Sequence, residues 1–280
     1  MPLPIVALDP PAIEILYIGG PTARLTIDGV SFITDPTFDA AGGVYASGSV
    51  SLEKTQGPAV SSESLGAIDV ALVSHDQHPD NLDHSGRALL NQIPMVLTTV
   101  AGSQRLGHGT LGLAPWETRD IASHTGHLRI TATPARHGPA GVEKLAGDVI
   151  GFMISKAETG EDLVYVTGDT VWYQGTVEVA RRFHPRVVLL FGGAARTRGP
   201  FHLTMDTNDA VEAAATFNDA VIVPVHHEGW AHFTQSQDDL AKTFKALGFE
   251  NRLQLVRGGE TLRFSGRAAS TTRQPRALTP

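Results

Sequence analysis

VALVSHDQHPDNLDHSGR, running from Val70 to Arg87, joins an apolar run to a polar cluster. Val70-Ala71-Leu72-Val73 is short and rich in β-branched residues, which predicts a buried strand. Directly after it come His75, Asp76, His78, Asp80, Asp83 and His84, three imidazoles and three carboxylates within ten positions. Nitrogen and oxygen donors of this kind suit a borderline divalent cation such as zinc, and a strand end is a rigid place to hold them. Any one of these residues is commoner in a solvated loop than on a metal. Six of them against a buried strand favour a metal site.

Upstream, Ile13–Ile18, Ala23–Ile27 and Val30–Thr34 read as three strands, separated by Gly19-Gly20-Pro21 and by Asp28-Gly29, a strong hairpin signal. Residues 37–64, rich in Gly, Ser and Ala, show no period and read as a long loop, either a lid or a surface excursion. Downstream, His84–Asn91 predicts a short helix, Pro94–Thr98 a strand and Leu106–Trp116 a linking segment. Leu128–Thr133, Asp148–Ile154, Leu163–Thr167, Val187–Phe191 and Ala220–Val223 follow as strands, with helices at Val177–Phe183, Thr207–Phe217 and Asp238–Leu247. Leu253–Val256 and Thr261–Phe264 close the pattern as strands. Strands first, then strands alternating with helices, suit two sheets packed face to face with helices outside. His- or Asp-bearing turns end four of these strands, after Val73, Thr133, Thr167 and Val223. Gathered on one rim, four such ends make a cage for a cation.

The bulk composition narrows the partners. With 22 Lys+Arg against 29 Asp+Glu the formal charge is −7, so nucleic acid is a poor partner. There is no cysteine, so disulfides and thiolate ligands are excluded. MPLPIVALDPP at the N-terminus lacks the basic segment and long apolar core of a secretory signal, and no run reaches the length of a membrane span. A cytoplasmic protein is expected, with one domain over residues 1–265 and a disordered polar tail over 266–280. The oligomeric state stays open, a homo-oligomer included.

Six segments carry a resemblance in the same order: LYIGGPTARLTIDGVSFITDP, SHDQHPDNLD, TPARH, TGDT, HLTMD and VPVHHEGW. Together, from about Ile13 to Phe264, they resemble the metallo-β-lactamase-fold hydrolases. Within these the likeness is to the branch of ascorbate-6-phosphate lactonase and the N-acyl-phosphatidylethanolamine-hydrolysing phospholipase D. The resemblance implies an α+β fold, an αββα sandwich of two mixed β-sheets with helices on the outer faces and a metal centre between the sheet edges. It also implies one or two divalent ions, Zn or Mn. His75, His78 and His137 would hold one ion, Asp80 and His226 a second, and Asp169 would bridge them. A metal-activated hydroxide would then attack a small ester, lactone or phosphodiester-like bond.

The chain departs from the family's His-x-His-x-Asp-His motif twice. Two residues, Asp76 and Gln77, separate His75 from His78, and Asn81 stands where the motif has histidine. A second alignment puts Asp76 in the first ligand position, and His227 competes with His226 in the same way. An amide is a poorer zinc ligand than imidazole, which favours a harder ion at an oxygen-rich site of Asp80, Asn81 and Asp169, with zinc the alternative. Asp80 and His202 are the catalytic candidates, His202 as a group that orients substrate or gives a proton to the leaving group. Asp35 and Asp83 are candidates for supporting the ligands. Arg136 and Arg196, with Arg198, suit an anionic small-molecule substrate bearing phosphate or carboxylate, although each singly is an ordinary solvated arginine. His108, His124, His127, His184 and His232 carry no motif and are read as surface or core. Two rivals remain: a scaffold that kept the fold and lost hydrolysis, suggested by Asn81 and the His75–His78 spacing, and a nuclease, disfavoured by the charge.

Overall fold

The computed structural model describes residues 12–107 and 109–265. Expectations about the N-terminal segment, His108 and the tail 266–280 lie outside the described residues. The chain opens with β1 (Ile13–Gly19), β2 (Thr22–Ile27) and β3 (Val30–Thr34), then β4 (Val44–Ser47), β5 (Val50–Glu53) and β6 (Val70–Leu72). Next come α1 (His84–Leu90), β7 (Met95–Thr99), α2 (Val100–Leu106), β8 (Thr110–Leu113), β9 (Thr118–Ser123), β10 (Gly126–Pro134) and the short α3 (Glu143–Ala146). The last part holds β11 (Ile150–Lys156), β12 (Asp162–Val166), α4 (Gln174–Arg182), β13 (Val187–Phe191), α5 (Thr207–Thr216), β14 (Val221–Val225), α6 (Gln237–Ala246) and β15 (Thr261–Phe264).

Two mixed sheets form the centre, in the orders β15-β1-β2-β3-β6-β7-β8 and β14-β13-β12-β11-β10-β9. The β2–β3 turn has Asp28 at φ 48° and Gly29 at φ 81°, the two positive values that a tight hairpin of matching twist requires. Alternation along the strands decides the layers. Phe32, Val70, Leu72, Leu189 and Phe191 point between the sheets into one shared core. Their neighbours point outward. Ile33, Ala71, Val73 and Val96 meet Leu90 of α1 and Leu65 on one side, while Val188, Leu190 and Ile222 meet Val179, Ala213 and Phe244 of the helices on the other. Strands buried on both faces read as continuous apolar runs, which is why Val187–Phe191 has no polar residue. The architecture is therefore an αββα sandwich of the α+β class.

Several short elements differ from expectation. Residues 37–64 are not one structureless loop: β4 and β5 pair as a hairpin with Val44 opposite Glu53, and Ser62–Leu65 makes a 3₁₀ turn. The linking segment contains α2 and β8, and β9 adds an edge strand. Leu253 makes a single bridge to Ile222 and not a strand.

What matters for the site is strand direction. β3, β6 and β7 run parallel in the first sheet, and β12, β13 and β14 in the second. β10 reverses twice through β11 to share the direction of β12. The C-terminal ends that carry Asp35, His75, His137, Asp169 and His226 consequently reach one rim of the sandwich.

Candidate metal centre

At that rim His75, His78 and His137 bring three ring nitrogens together, and Asp80, Asp169 and His226 bring a second trio of donor atoms together, each group within 4.8 Å. His78 Nδ1 lies 2.9 Å from His75 Nε2 and 3.1 Å from His137 Nε2. Asp169 stands between the groups, with Oδ2 3.4 Å from His137 Nε2 and Oδ1 3.2 Å from His226 Nε2. His226 Nε2 is also 3.7 Å from Asp80 Oδ2.

Outer hydrogen bonds decide which way the imidazoles present themselves. The Ser74 hydroxyl donates to Asp35 Oδ2 at 2.6 Å, so the Ser74 oxygen accepts from His75 Nδ1 at 2.9 Å. His137 Nδ1 donates to the Leu203 carbonyl at 2.8 Å, since a carbonyl only accepts. Both Nε2 atoms then turn lone pairs inward, onto His78 Nδ1. One proton on His78 can bridge to only one of them. Lone pairs converging in a buried space need a cation, and this donor set fits a divalent ion. The second group makes the same case: His226 has both ring nitrogens, and Asp80 its Oδ1, buried without a hydrogen-bond partner among the described residues.

Protonation agrees with that fit at His75 and His78. Burial and then the charge of His78 push the His75 ring well below its ordinary pKa, and burial with His137 lowers His78 to about 4. Both are therefore neutral ligand forms near pH 7. Burial alone would raise Asp80 and Asp169, but His232 and His226 beside Asp80, and His226 and His137 beside Asp169, hold both below the carboxylate range. For His226 burial acts downward, and Asp169 followed by Asp80 outweighs it, leaving the ring raised. Burial lifts Asp35 to about 7, against the bonds from Ser74 and Asn81.

The remaining sequence candidates divide. Asp35 touches the site through Ser74 and accepts Asn81 Nδ2 at 3.1 Å. Asn81 also points Nδ2 at Asp169 Oδ1, 3.3 Å away, so it meets these two carboxylates as a donor, while its oxygen is buried without a partner among the described residues. Asp76 turns away into a paired contact with Arg105, while His75 stands in the donor group. His227 stacks on Tyr17 at a 6.3 Å centroid distance and leaves His226 as the rim histidine. Asp83 makes its contacts away from the donor groups. It caps α1 through Gly86 N, accepts from Phe38 N and Asp39 N, and pairs with the buried Lys54 at 2.7 Å. Arg136 lies over the Tyr173 ring and donates to Gly138 O. Arg196 donates to His202 Nε2 while His202 Nδ1 meets Asp206 at 3.0 Å, and neither borders the cavity over the centre.

That cavity is small, about 20 Å³, and is walled by His78, Asp80, His137, His232, Arg198 and the β4–β5 hairpin. Arg198 ties itself to the hairpin through Ser49 Oγ and Ser47 O. Two residues here escaped the sequence reading. His232, assigned no role, lies with Nε2 3.0 Å from Asp80 Oδ2. Ser74 precedes the first histidine, and its signal was its place between a strand and a ligand candidate.

A scaffold that had lost its metal chemistry has no need of two buried, converging donor groups, so that rival loses its support. No helix among the described residues is long and apolar enough to cross a membrane. Among known proteins, the chain is 27% identical over 203 residues to the UPF0173 protein YddR of Bacillus subtilis, covering 71% of this chain and 78% of that one. It is 29% identical over 170 residues to a UPF0173 metal-dependent hydrolase of Methanoregula boonei, covering 58% and 68%. The fold is shared with an isothiocyanate hydrolase from Delia radicum gut bacteria, at a TM-score of 0.77 and 23% identity over 91% of this chain and all of that one. The β-lactamase superfamily domain matches residues 31–227, more than half of the 280, and the chain belongs to that family.

Proposed function

We propose that the chain is a metal-dependent hydrolase that opens a small ester, lactone or phosphodiester-like bond at a two-ion centre. The observation that carries this reading is the pair of buried donor groups joined by Asp169 beneath one small cavity. His75 Nε2, His78 Nδ1 and His137 Nε2 would hold one ion, and Asp80, Asp169 and His226 the other. Divalent ions in these positions lower the pKa of water and take up charge that develops on the oxygens of the bond being broken. The three-imidazole group suits zinc, while the oxygen-richer group also accepts a harder ion such as manganese.

The chain's own residues supply position and exclusion. Ser74 and Leu203 O keep the two Nε2 atoms turned inward. The hairpin and Leu203 wall the cavity, leaving room for little more than one water-sized body, about 20 Å³. A larger substrate needs a wall of this cavity, such as the hairpin, to yield, or reaches the centre from the pocket of about 260 Å³ that also borders His137. Arg198, at the cavity wall, uses two of its N–H groups on the hairpin and keeps others for an anionic group such as phosphate or carboxylate. His202, held by Asp206 and Arg196, is not assigned the proton-donor role.

The test joins metal analysis to turnover. Protein purified without added metal is analysed for Zn and Mn, then assayed on activated esters, lactones, a bis-aryl phosphodiester and an isothiocyanate. Turnover that disappears with a chelator and returns with Zn or Mn is expected. Fully loaded protein that turns over none of these bonds would sink the reading.

A further inference from the structure

We propose that His232 is the second imidazole of the oxygen-rich site, a direct ligand beside Asp80, Asp169 and His226. It rests on the two-ion reading above and adds a ligand that the strand-end residues do not include. Without it the site has one imidazole, two carboxylates and an amide turned the wrong way. Asn81 Nδ2 faces Asp35 Oδ2 and Asp169 Oδ1, while its oxygen is buried without a partner among the described residues. Flipping the amide would press that oxygen against two carboxylate oxygens, so the donor orientation is the stable one. Residue 81 thus turns N–H groups, and not its oxygen, toward Asp35 and Asp169.

His232 offers a ring nitrogen instead. Its ring is 9% exposed, its Nε2 is 3.0 Å from Asp80 Oδ2, and its Nδ1 has no hydrogen-bond partner among the described residues. Donors sharing a tetrahedral ion at bonds of roughly 2.0–2.2 Å lie roughly 3.3–3.6 Å apart. Three edges, 3.0 Å from His232 to Asp80, 3.7 Å from Asp80 to His226 and 3.2 Å from His226 to Asp169, lie near that spacing; His232 stands just outside the group of donor atoms within 4.8 Å of one another and approaches it from the Asp80 side. His232 also borders the cavity. Its backbone is fixed on both sides: Arg196 N donates to His232 O at 3.0 Å, Ala231 N to Glu53 O, and Thr234 N to Gly193 O. The ring packs on Phe233 at 4.6 Å between centroids. A residue that only orients Asp80 needs one hydrogen bond. A ligand needs this fixed approach, the buried surroundings and an open edge on the cavity.

The deciding experiment loads wild-type protein, labelled with ¹⁵N-histidine, with ¹¹³Cd and reads cadmium–nitrogen coupling at each ring. Coupling to His232 Nε2 is expected, and a histidine that only hydrogen-bonds to Asp80 gives none. In parallel, chelator competition with Zn²⁺ on H232A should leave the first ion in place and weaken the second by more than roughly a hundredfold. Adding N81H to H232A should restore the second ion, because residue 81 already faces Asp169. No coupling at His232, or H232A holding two ions as tightly as wild type, overturns the proposal. If H232A changes nothing while the loaded enzyme still hydrolyses, only the role of His232 fails. If wild type holds no ion at all, the hydrolase reading fails with it.

Discussion

Ser74→Ala removes one oxygen that does two things. That oxygen donates to Asp35 Oδ2 at 2.6 Å and accepts from His75 Nδ1 at 2.9 Å. Asp35 keeps Ser74 N at 2.5 Å and Asn81 Nδ2 at 3.1 Å, so the carboxylate remains held. His75 keeps nothing on Nδ1, inside a fully buried site. A buried donor left without an acceptor costs about 1–3 kcal/mol. The ring relieves this by moving its proton to Nε2, the atom that faces His78, and metal binding must then undo the move. The expected loss is about 10–100-fold in affinity at the three-imidazole site, or about 1.4–2.7 kcal/mol. Competition against a chromophoric chelator measures it, best at pH 8, where Asp35, lifted to about 7 by burial, is mainly ionised. The Asp80–Asp169–His226 site should bind as before, since none of its side chains touches the Ser74 hydroxyl. Affinity within threefold of wild type, or equal weakening of both ions, would refute the argument; equal weakening would point to general loosening.

Other consequences are independent of that one. An ion present at a hundredfold excess over its Kd stabilises the fold by about 2.7 kcal/mol, so chelation should lower Tm by roughly 5–10 °C per ion in a scanning-fluorimetry experiment. Identical melting with and without chelator would mean that no ion is held. Lys54 and Asp83 form a buried pair, but Asp83 also accepts three backbone N–H groups. Asp83→Ala should therefore cost about 3–5 kcal/mol in urea unfolding and Lys54→Met only about 1.5–3 kcal/mol; the reverse order would contradict this account. Asp209 is raised by burial from 3.8 to about 6. The folded chain then binds more protons than the unfolded one between about pH 4 and 6, so this group's contribution to stability falls as pH rises through that window. Asp209→Asn should flatten that slope and stabilise the protein by about 1–2 kcal/mol at pH 7, after allowing for the charge lost from the start of α5.

The candidate ligands were legible because most sit within a few residues of a buried apolar run, where the chain leaves a strand and cannot wander. Val70–Leu72 delivers His75 and Val221–Val225 delivers His226. What the sequence hid depends on partners far along the chain. Arg105, 29 positions away in α2, draws the Asp76 carboxylate outward. His232 follows its strand by seven residues of irregular chain, held by backbone bonds to distant residues such as Glu53 and Arg196. The β4–β5 hairpin escaped because its strands are only four residues each; Val50 and Leu52 alternate with Ser51 and Glu53, but over too few positions to stand out from the surrounding Gly- and Ser-rich chain. The orientation of Asn81 was hidden because an amide can donate or accept, and the neighbouring carboxylates draw its Nδ2 toward them.

The rim is also where the backbone departs from ordinary geometry, and the departures line up with the ligands. Asp35, Gly168 and His226 all have positive φ, at 27°, 62° and 56°. For Asp35 and His226 such a conformation costs of order 1–3 kcal/mol and persists only if the surroundings impose it. They do. Asp35 N donates to Leu72 O and His226 N to Gly20 O at 2.7 Å, so each turn is pinned to a strand or turn of the first sheet. At Gly168 the reason is space as well as angle: a Cβ there would sit 2.6 Å from Ile150 O and 2.9 Å from Ser74 Cβ. Only glycine lets the end of β12 come so close to Ser74, and that closeness sets Asp169 between the two donor groups. The left-handed turns thus do at the backbone what Ser74 and Leu203 O do at the side chains, fixing donor atoms at ligand spacing before any ion arrives.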